Sequence, residues 1–216
     1  MLANSMGERM KLSTMGAGVM LALMAATACR AQERLPAIAP EQLSDAQKKI
    51  IADIVSGPRG HLPPPMVPML RSPELMVKIQ GLGGYILFHN SLSPKIFEFT
   101  VMVVARQWTQ QFEWRHHYPL ALKAGVSQET LDAVAEGRRP AKLADDESIA
   151  YDFVQEVLSN KSVSDATYGR FVAKFGEQSL MDMLGTLGFY TSIAMIINVD
   201  RTPIEAGTAP LLKPLP

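Results

Sequence analysis

Apolar residues recur at helical spacing along most of this chain, and no stretch alternates in the manner of a strand. Ser44-Asp45-Ala46-Gln47 reads as a capping box opening a helix with Ile50, Ile51, Ile54 and Val55 on one face, stopped by Gly57-Pro58. The prolines of GPRGHLPPPMVP, residues 57–68, remove donors and fix φ, so regular structure is not expected there. A loop of that length is either functional or laid across a partner. Ser72-Pro73 marks the next start, an N-cap followed by proline at the first helical position. That helix runs to about His89 with Leu75, Ile79, Leu82 and Ile86 inward. Gly81, Gly83 and Gly84 inside it each cost up to about 1 kcal/mol relative to Ala, which implies close helix contact or a break. Ser93-Pro94 repeats the start signal.

Further on, Gly125 reads as a C-cap, and Ser127 opens a short helix with Leu131 and Val134 inward, closed near Gly137. Asp145 to Leu158 carries the stripe Ile149, Phe153, Val154 and Val157. Ser164 caps a helix with Tyr168, Phe171, Val172 and Phe175 on one face, ended by Gly176. The last helix, about 178–197, is apolar on nearly all sides; such a helix is buried, here against another subunit as well. The fold class is all-α.

One stretch interrupts this pattern with chemistry. Residues 98–125, EFTVMVVARQWTQQFEWRHHYPLALKAG, set Glu98, Glu113, His116 and His117 among apolar neighbours. On a helix Glu113 and His117 share a face, and His116 is within reach of the same carboxylate. A carboxylate beside an imidazole orients the ring, favours its charged form and can move protons near neutral pH. The plainer alternative is a surface ion pair worth a few tenths of a kcal/mol. A single straight helix from residue 94 to 118 would hold Glu98 about 22 Å from Glu113 at ~1.5 Å per residue. Sharing one site therefore requires a turn near Gln107–Gln111, with Thr109 as the second N-cap, or a contact between subunits. Pro119 would interrupt the second helix's hydrogen bonding just beyond the histidines, with Gly125 as its end.

Glu98, Glu113-Trp114, His117, Ala121 and Gly125-Val126-Ser127 together resemble the carboxymuconolactone decarboxylase family, which includes the alkylhydroperoxidase D-type peroxidases. The resemblance extends through Ser72-Pro73-Glu74-Leu75, Leu92-Ser93-Pro94, Val163-Ser164-Asp165 and Gly188-Phe189-Tyr190, about residues 40–200. It implies a helical domain at 32–201 that assembles as a trimer or hexamer, and a small-molecule substrate. Peroxidase members carry a Cys-x-x-Cys pair where this chain has Gln110 and Glu113. A dithiol mechanism needs a thiolate and a resolving thiol, and the single cysteine, Cys29, lies near the N-terminus. The resemblance therefore implies the thiol-free branch, a carboxy-lyase-like enzyme in which Glu98 and Glu113 tune His117 for acid/base work on a lactone or related carbonyl compound, with His116 as a second donor. No cofactor is called for. Arg59 and Arg106 are candidates to hold an acid group, and Trp114 and Tyr85 to line the pocket. A solvated loop cation and ordinary core aromatics are the competing readings for these four.

Charge is balanced, 21 basic against 21 acidic residues, so no nucleic-acid footprint exists. Residues 1–31 have the three-part layout of a signal peptide: Arg9 and Lys11, an apolar run from Leu12 to Ala28, then small residues. Export to the periplasm or medium is expected, with no membrane span after processing; acylation at Cys29 and an uncleaved anchor are the weaker alternatives. A cysteine-free mature chain suits an oxidising compartment. Residues 202–216 form a proline-containing tail, loose or packed across a neighbour. Two other functions stay open. Glu98, Glu113, His116 and His117 could ligate Zn or Fe, although adjacent histidines diverge by ~100° on a helix. A non-catalytic oligomeric binding protein on the same scaffold is the other.

Overall fold

A computed structural model describes residues 33–204 and 210–214, all within the unit Ala31–Pro216. The expected leader at 1–31 and Cys29 lie outside the described residues. Seven helices and no strand occur among the described residues: α1 Asp45–Ser56, α2 Pro73–Phe88, α3 Pro94–Gln107, α4 Gln111–Ala124, α5 Gln128–Ala135, α6 Asp145–Asn160 and α7 Asp165–Asp200. The sequence signals account for most of their ends. Ser44 and Gln47 close a capping box on α1, and Ser93, Ser127 and Ser164 each accept a hydrogen bond from the backbone three residues on. Gly125 takes φ 99° after α4, a left-handed C-cap that a glycine adopts without steric cost. Gly176, at φ 83°, breaks α7 into two helical segments.

Helix α3 is the centre. Its residues from Phe99 to Arg106 are all buried, and α4, α5, α6 and α7 pack around it. Such a helix has no solvated face, so any polar group it carries must find a partner inside the fold.

Three local expectations are corrected. The proline-rich loop contains two 3-10 turns, Pro64–Met66 and Pro68–Arg71, each with a proline at its first position, where no N–H is needed. Ser72 does not cap α2 with its side chain; its N–H instead closes the preceding turn on the Met69 carbonyl. Pro119 lies inside α4, which runs on to Ala124 and the C-cap at Gly125, as the sequence implies. The inner face of α2 is Met76, Gly83 and Ile86, whereas Leu75 and Leu82 are exposed. The physical reason is Gly83. A Cβ there would stand 2.7 Å from the Phe189 ring of α7, so the glycine permits the two helices to close together. Counting apolar side chains passes over a stripe whose key member has none.

The tail is corrected too. Pro210 to Lys213 lies along α3 and α4 of its own chain: Leu212 is buried, the Gln111 side chain exchanges two hydrogen bonds with the Leu212 backbone, and Arg106 Nη1 donates to the Lys213 carbonyl at 2.7 Å.

Gly83→Ala is expected to lower the melting temperature, because displacing Phe189 costs about 1–3 kcal/mol. Gly84→Ala, which meets open space, is expected to stabilise by up to about 1 kcal/mol. Paired thermal melts check this; equal effects of the two substitutions would refute the close approach.

Candidate active site

The turn between α3 and α4 decides the site. The Gln110 N–H bonds the Ala105 carbonyl and the Thr109 N–H bonds that of Arg106, with Thr109 held at φ 45°. Gln110, not Thr109, is the cap of α4: its side-chain oxygen accepts from the backbone N–H groups of Phe112 and Glu113. Asn198 of α7 fixes that side chain, accepting from Gln110 Nε2 at 2.9 Å and donating to the Trp108 carbonyl at 3.1 Å. Helices joined by so short a turn run antiparallel, and residues equally far from the turn face each other. Glu98 stands nine residues before the end of α3 and His117 six after the start of α4, a difference of less than one helical turn. They meet within one subunit.

His117 is buried between two carboxylates. Its Nδ1 lies 2.8 Å from Glu98 Oε2 and its Nε2 lies 3.3 Å from Glu113 Oε2. Glu113 and His117 are each 5% exposed. Burial alone pulls the imidazole's pKa down, but the hydrogen bonds its N–H groups donate to Glu113 and Glu98 and the two negative charges outweigh it and raise it to about 9. At neutral pH the group is therefore an imidazolium flanked by carboxylates. Both ring nitrogens are engaged, an arrangement that stores a proton and leaves no nitrogen lone pair for a metal. Among the described residues no group of three or more His, Cys, Asp or Glu side chains is placed so that it could hold one metal ion.

The three residues open onto a cavity of about 320 Å³. Phe112, Leu120, Phe189 and Ile193 supply apolar walls, His116 reaches its edge, and Arg59, His61 and Pro63 to Pro65 of the proline-rich loop close one side. His116 stacks on Phe112, ring centroids 6.0 Å apart. Arg59 Nη2 is buried with no hydrogen-bond partner among the described residues, and burial lowers the guanidinium's pKa. One lining residue carried no chemical signal in the sequence: Tyr190, whose ring stands edge-on to His117 at 5.1 Å. It is separated from the Glu-His stretch by more than seventy residues, and an aromatic on an apolar helix reads as core.

Three other candidates are not brought to this cavity. Trp114 is fully buried on the opposite side of α4, its indole N–H donating to the Pro210 carbonyl at 3.0 Å. Arg106, also buried, donates from its two Nη atoms to Ala135, Lys213 and Thr109, and its Nε has no partner among the described residues. Tyr85 faces outward and donates to Asp182 Oδ1 at 2.9 Å, in a network where Asp182 also accepts from the Ser91 N–H. Each of these ties elements together.

A raised histidine pKa has a definite consequence for stability. Protonated His117 is favoured in the folded chain, so its contribution is fully present below about pH 6.5 and is lost as pH rises through about 9. Thermal melts from pH 6 to pH 10 are expected to fall by roughly 5 °C more in the wild type than in His117→Gln. Parallel curves would contradict the buried imidazolium.

Residues 73–156 match the model of the Carboxymuconolactone decarboxylase family. No curated protein matches the chain. Solved structures share its fold at low identity. A cysteine-to-alanine variant of the debrominase Bmp8 in complex with 2,3,4-tribromopyrrole has a TM-score of 0.60 at 14% identity, covering 82% of this chain and 94% of that one. Apo Bmp8 has a TM-score of 0.62 at 13% identity, covering 81% and 94%. A protein of unknown function from Agrobacterium tumefaciens, connected with antioxidant defence as AhpD, has a TM-score of 0.54 at 14% identity over 63% and 94% of the two chains. The segment that matches the carboxymuconolactone decarboxylase family model, residues 73–156, is the one that carries Glu98, Glu113 and His117.

Proposed function

We propose that the protein is an acid/base enzyme acting on a lactone or related carbonyl or carboxylate compound, with loss of CO₂ as the default reaction and no thiol chemistry. The observation that carries this reading is the Glu98–His117–Glu113 array at the wall of an otherwise apolar cavity. Perturbed ionisable groups in a cleft mark sites of proton transfer. The volume, at the small end of ligand pockets, suits one ring with short substituents. With both imidazole nitrogens held, a carboxylate of the array takes the substrate's proton and His117 keeps the pair from accumulating negative charge. On loss of CO₂ the C–C electron pair stays on the substrate, and the array returns a proton to that carbon. Arg59 supplies the positive charge that faces the substrate's oxygen-rich end. The debrominase with this fold was studied as a cysteine variant, whereas this chain's only cysteine precedes the helical domain, which supports a different chemistry here.

Two further properties belong to the same reading. Self-association is supported by Leu75, Phe88, Met181, Met195 and Val199, large apolar side chains left exposed on α2 and α7. Export is supported by the layout of residues 1–31. Sedimentation of the purified protein and the N-terminal sequence of its mature form check the two; a monomer, or an intact Met1, would set the respective one aside.

Turnover of a panel of lactones and unsaturated keto acids, carboxymuconolactone included, tests the main proposal. His117→Ala and Glu98→Gln are each expected to slow the active compound by about 10²-fold or more, the usual worth of positioned proton transfer. Variants that fold normally and turn over at the wild-type rate would overturn it.

A further inference from the structure

The cavity contains a donor pair that the Glu-His array does not use. Tyr190 is 4% exposed, yet its hydroxyl has no hydrogen-bond partner among the described residues while lining the open cavity. A buried phenol normally satisfies its O–H. Arg59 Nη2 is a second donor without a partner on the same cavity. The two reach it from different parts of the chain, the proline-rich loop and α7, and both fall outside the segment 73–156. Arg59 and the hydroxyl of Tyr190 lie within electrostatic reach of each other.

Neither donor is free to turn away. The Tyr190 ring is fixed by edge-on contacts with His117, Phe97 and Phe189 at 5.1–6.0 Å. Gly83 leaves room for the same corner: a Cβ there would meet the Phe189 ring and stand 3.4 Å from Arg59 Nη2. Leaving the buried Arg59 Nη2 unsatisfied costs stability, which is regained when a ligand oxygen accepts from it, and the Tyr190 hydroxyl on the same cavity is a second donor for that oxygen.

We propose that Tyr190 and Arg59 form a two-donor subsite for an oxyanion, and that the substrate is an enolisable carbonyl compound whose carbonyl oxygen sits between them. The inference rests on the acid/base reading above and assigns Tyr190 a direct contact with the reacting group. When a carboxylate of the array takes a proton from the carbon next to the carbonyl, the C–H electron pair becomes a C=C bond. The carbonyl π pair then moves to oxygen. Tyr190 O–H and Arg59 Nη2–H donate to that oxygen as its charge grows, and the proton returns from the array to the same or a conjugated carbon. No oxidant or co-reactant is consumed. When CO₂ leaves instead, its C–C electron pair feeds the same enolate and the same two donors receive it. Burial and the nearby carboxylates raise the Tyr190 pKa well above its ordinary value, so the phenol keeps the proton it must donate.

A planar phenolate mimics the enolate and reports its own ionisation. Binding of 4-nitrophenol is followed by absorbance across pH 5–9 for wild type, Tyr190→Phe and Arg59→Gln, with 4-nitroanisole as a neutral probe of the same shape. Wild type is expected to bind the phenolate more tightly than the phenol. Tyr190→Phe, which keeps the ring packing, is expected to weaken the phenolate about tenfold or more while leaving 4-nitroanisole unchanged. A wild type indifferent to the probe's charge, or a Tyr190→Phe affinity equal to wild type, would overturn the subsite. Because the readout is binding, it stands apart from turnover. Phenolate preference with a His117→Ala enzyme that still turns over would sink the acid/base reading and keep the subsite.

Discussion

A buried imidazole held between two carboxylates is the interaction on which this structure turns. Glu98, His117 and Glu113 meet inside a small domain, His117 and Glu113 buried and Glu98 partly so, where each charge alone would be disfavoured. Together they compensate: the negative charges make the proton on His117 hard to remove, and that proton makes the two carboxylates tolerable neighbours. Removing any one leaves the others uncompensated, which is costly inside a protein. The same mutual dependence is what the proposed proton transfer would draw on.

The surrounding fold serves that contact. A three-residue turn folds α3 against α4, and the Gln110 side chain, held by Asn198, sets where α4 starts and therefore where His117 stands. The docked segment Pro210–Lys213 braces the opposite side of the hairpin through Arg106, Gln111 and Trp114. Gly83 lets α2 approach Phe189, bringing the cavity's apolar wall and Tyr190 beside the array. At the positions where thiol members of the family have cysteines, this chain has a helix cap, Gln110, and an acid, Glu113.

Much of this was legible in the sequence, for identifiable reasons. Helix starts marked by Ser44, Ser93, Ser127 and Ser164 are local chemistry, and local chemistry can be read without the fold. Glu113 and His117 share a face by helix geometry alone. Their meeting with Glu98 was not settled by sequence, because Thr109 and Gln110 reverse the chain without glycine or proline. Arg106, Trp114 and Tyr85 look like pocket residues by type. They are structural because their partners, Lys213, Pro210 and Asp182, come from distant segments. Tyr190 went unseen for the converse reason: its role depends on which way one face of an apolar helix points.

The central claim is that His117 carries its proton at neutral pH because two buried carboxylates hold it there. The most direct measurement is an NMR titration of the His117 imidazole, with the ring nitrogens labelled and His117→Gln used to assign the signal. The account predicts that both ring nitrogens remain protonated through pH 8 and titrate near pH 9. A neutral imidazole at pH 7, titrating at or below its ordinary value, would contradict it.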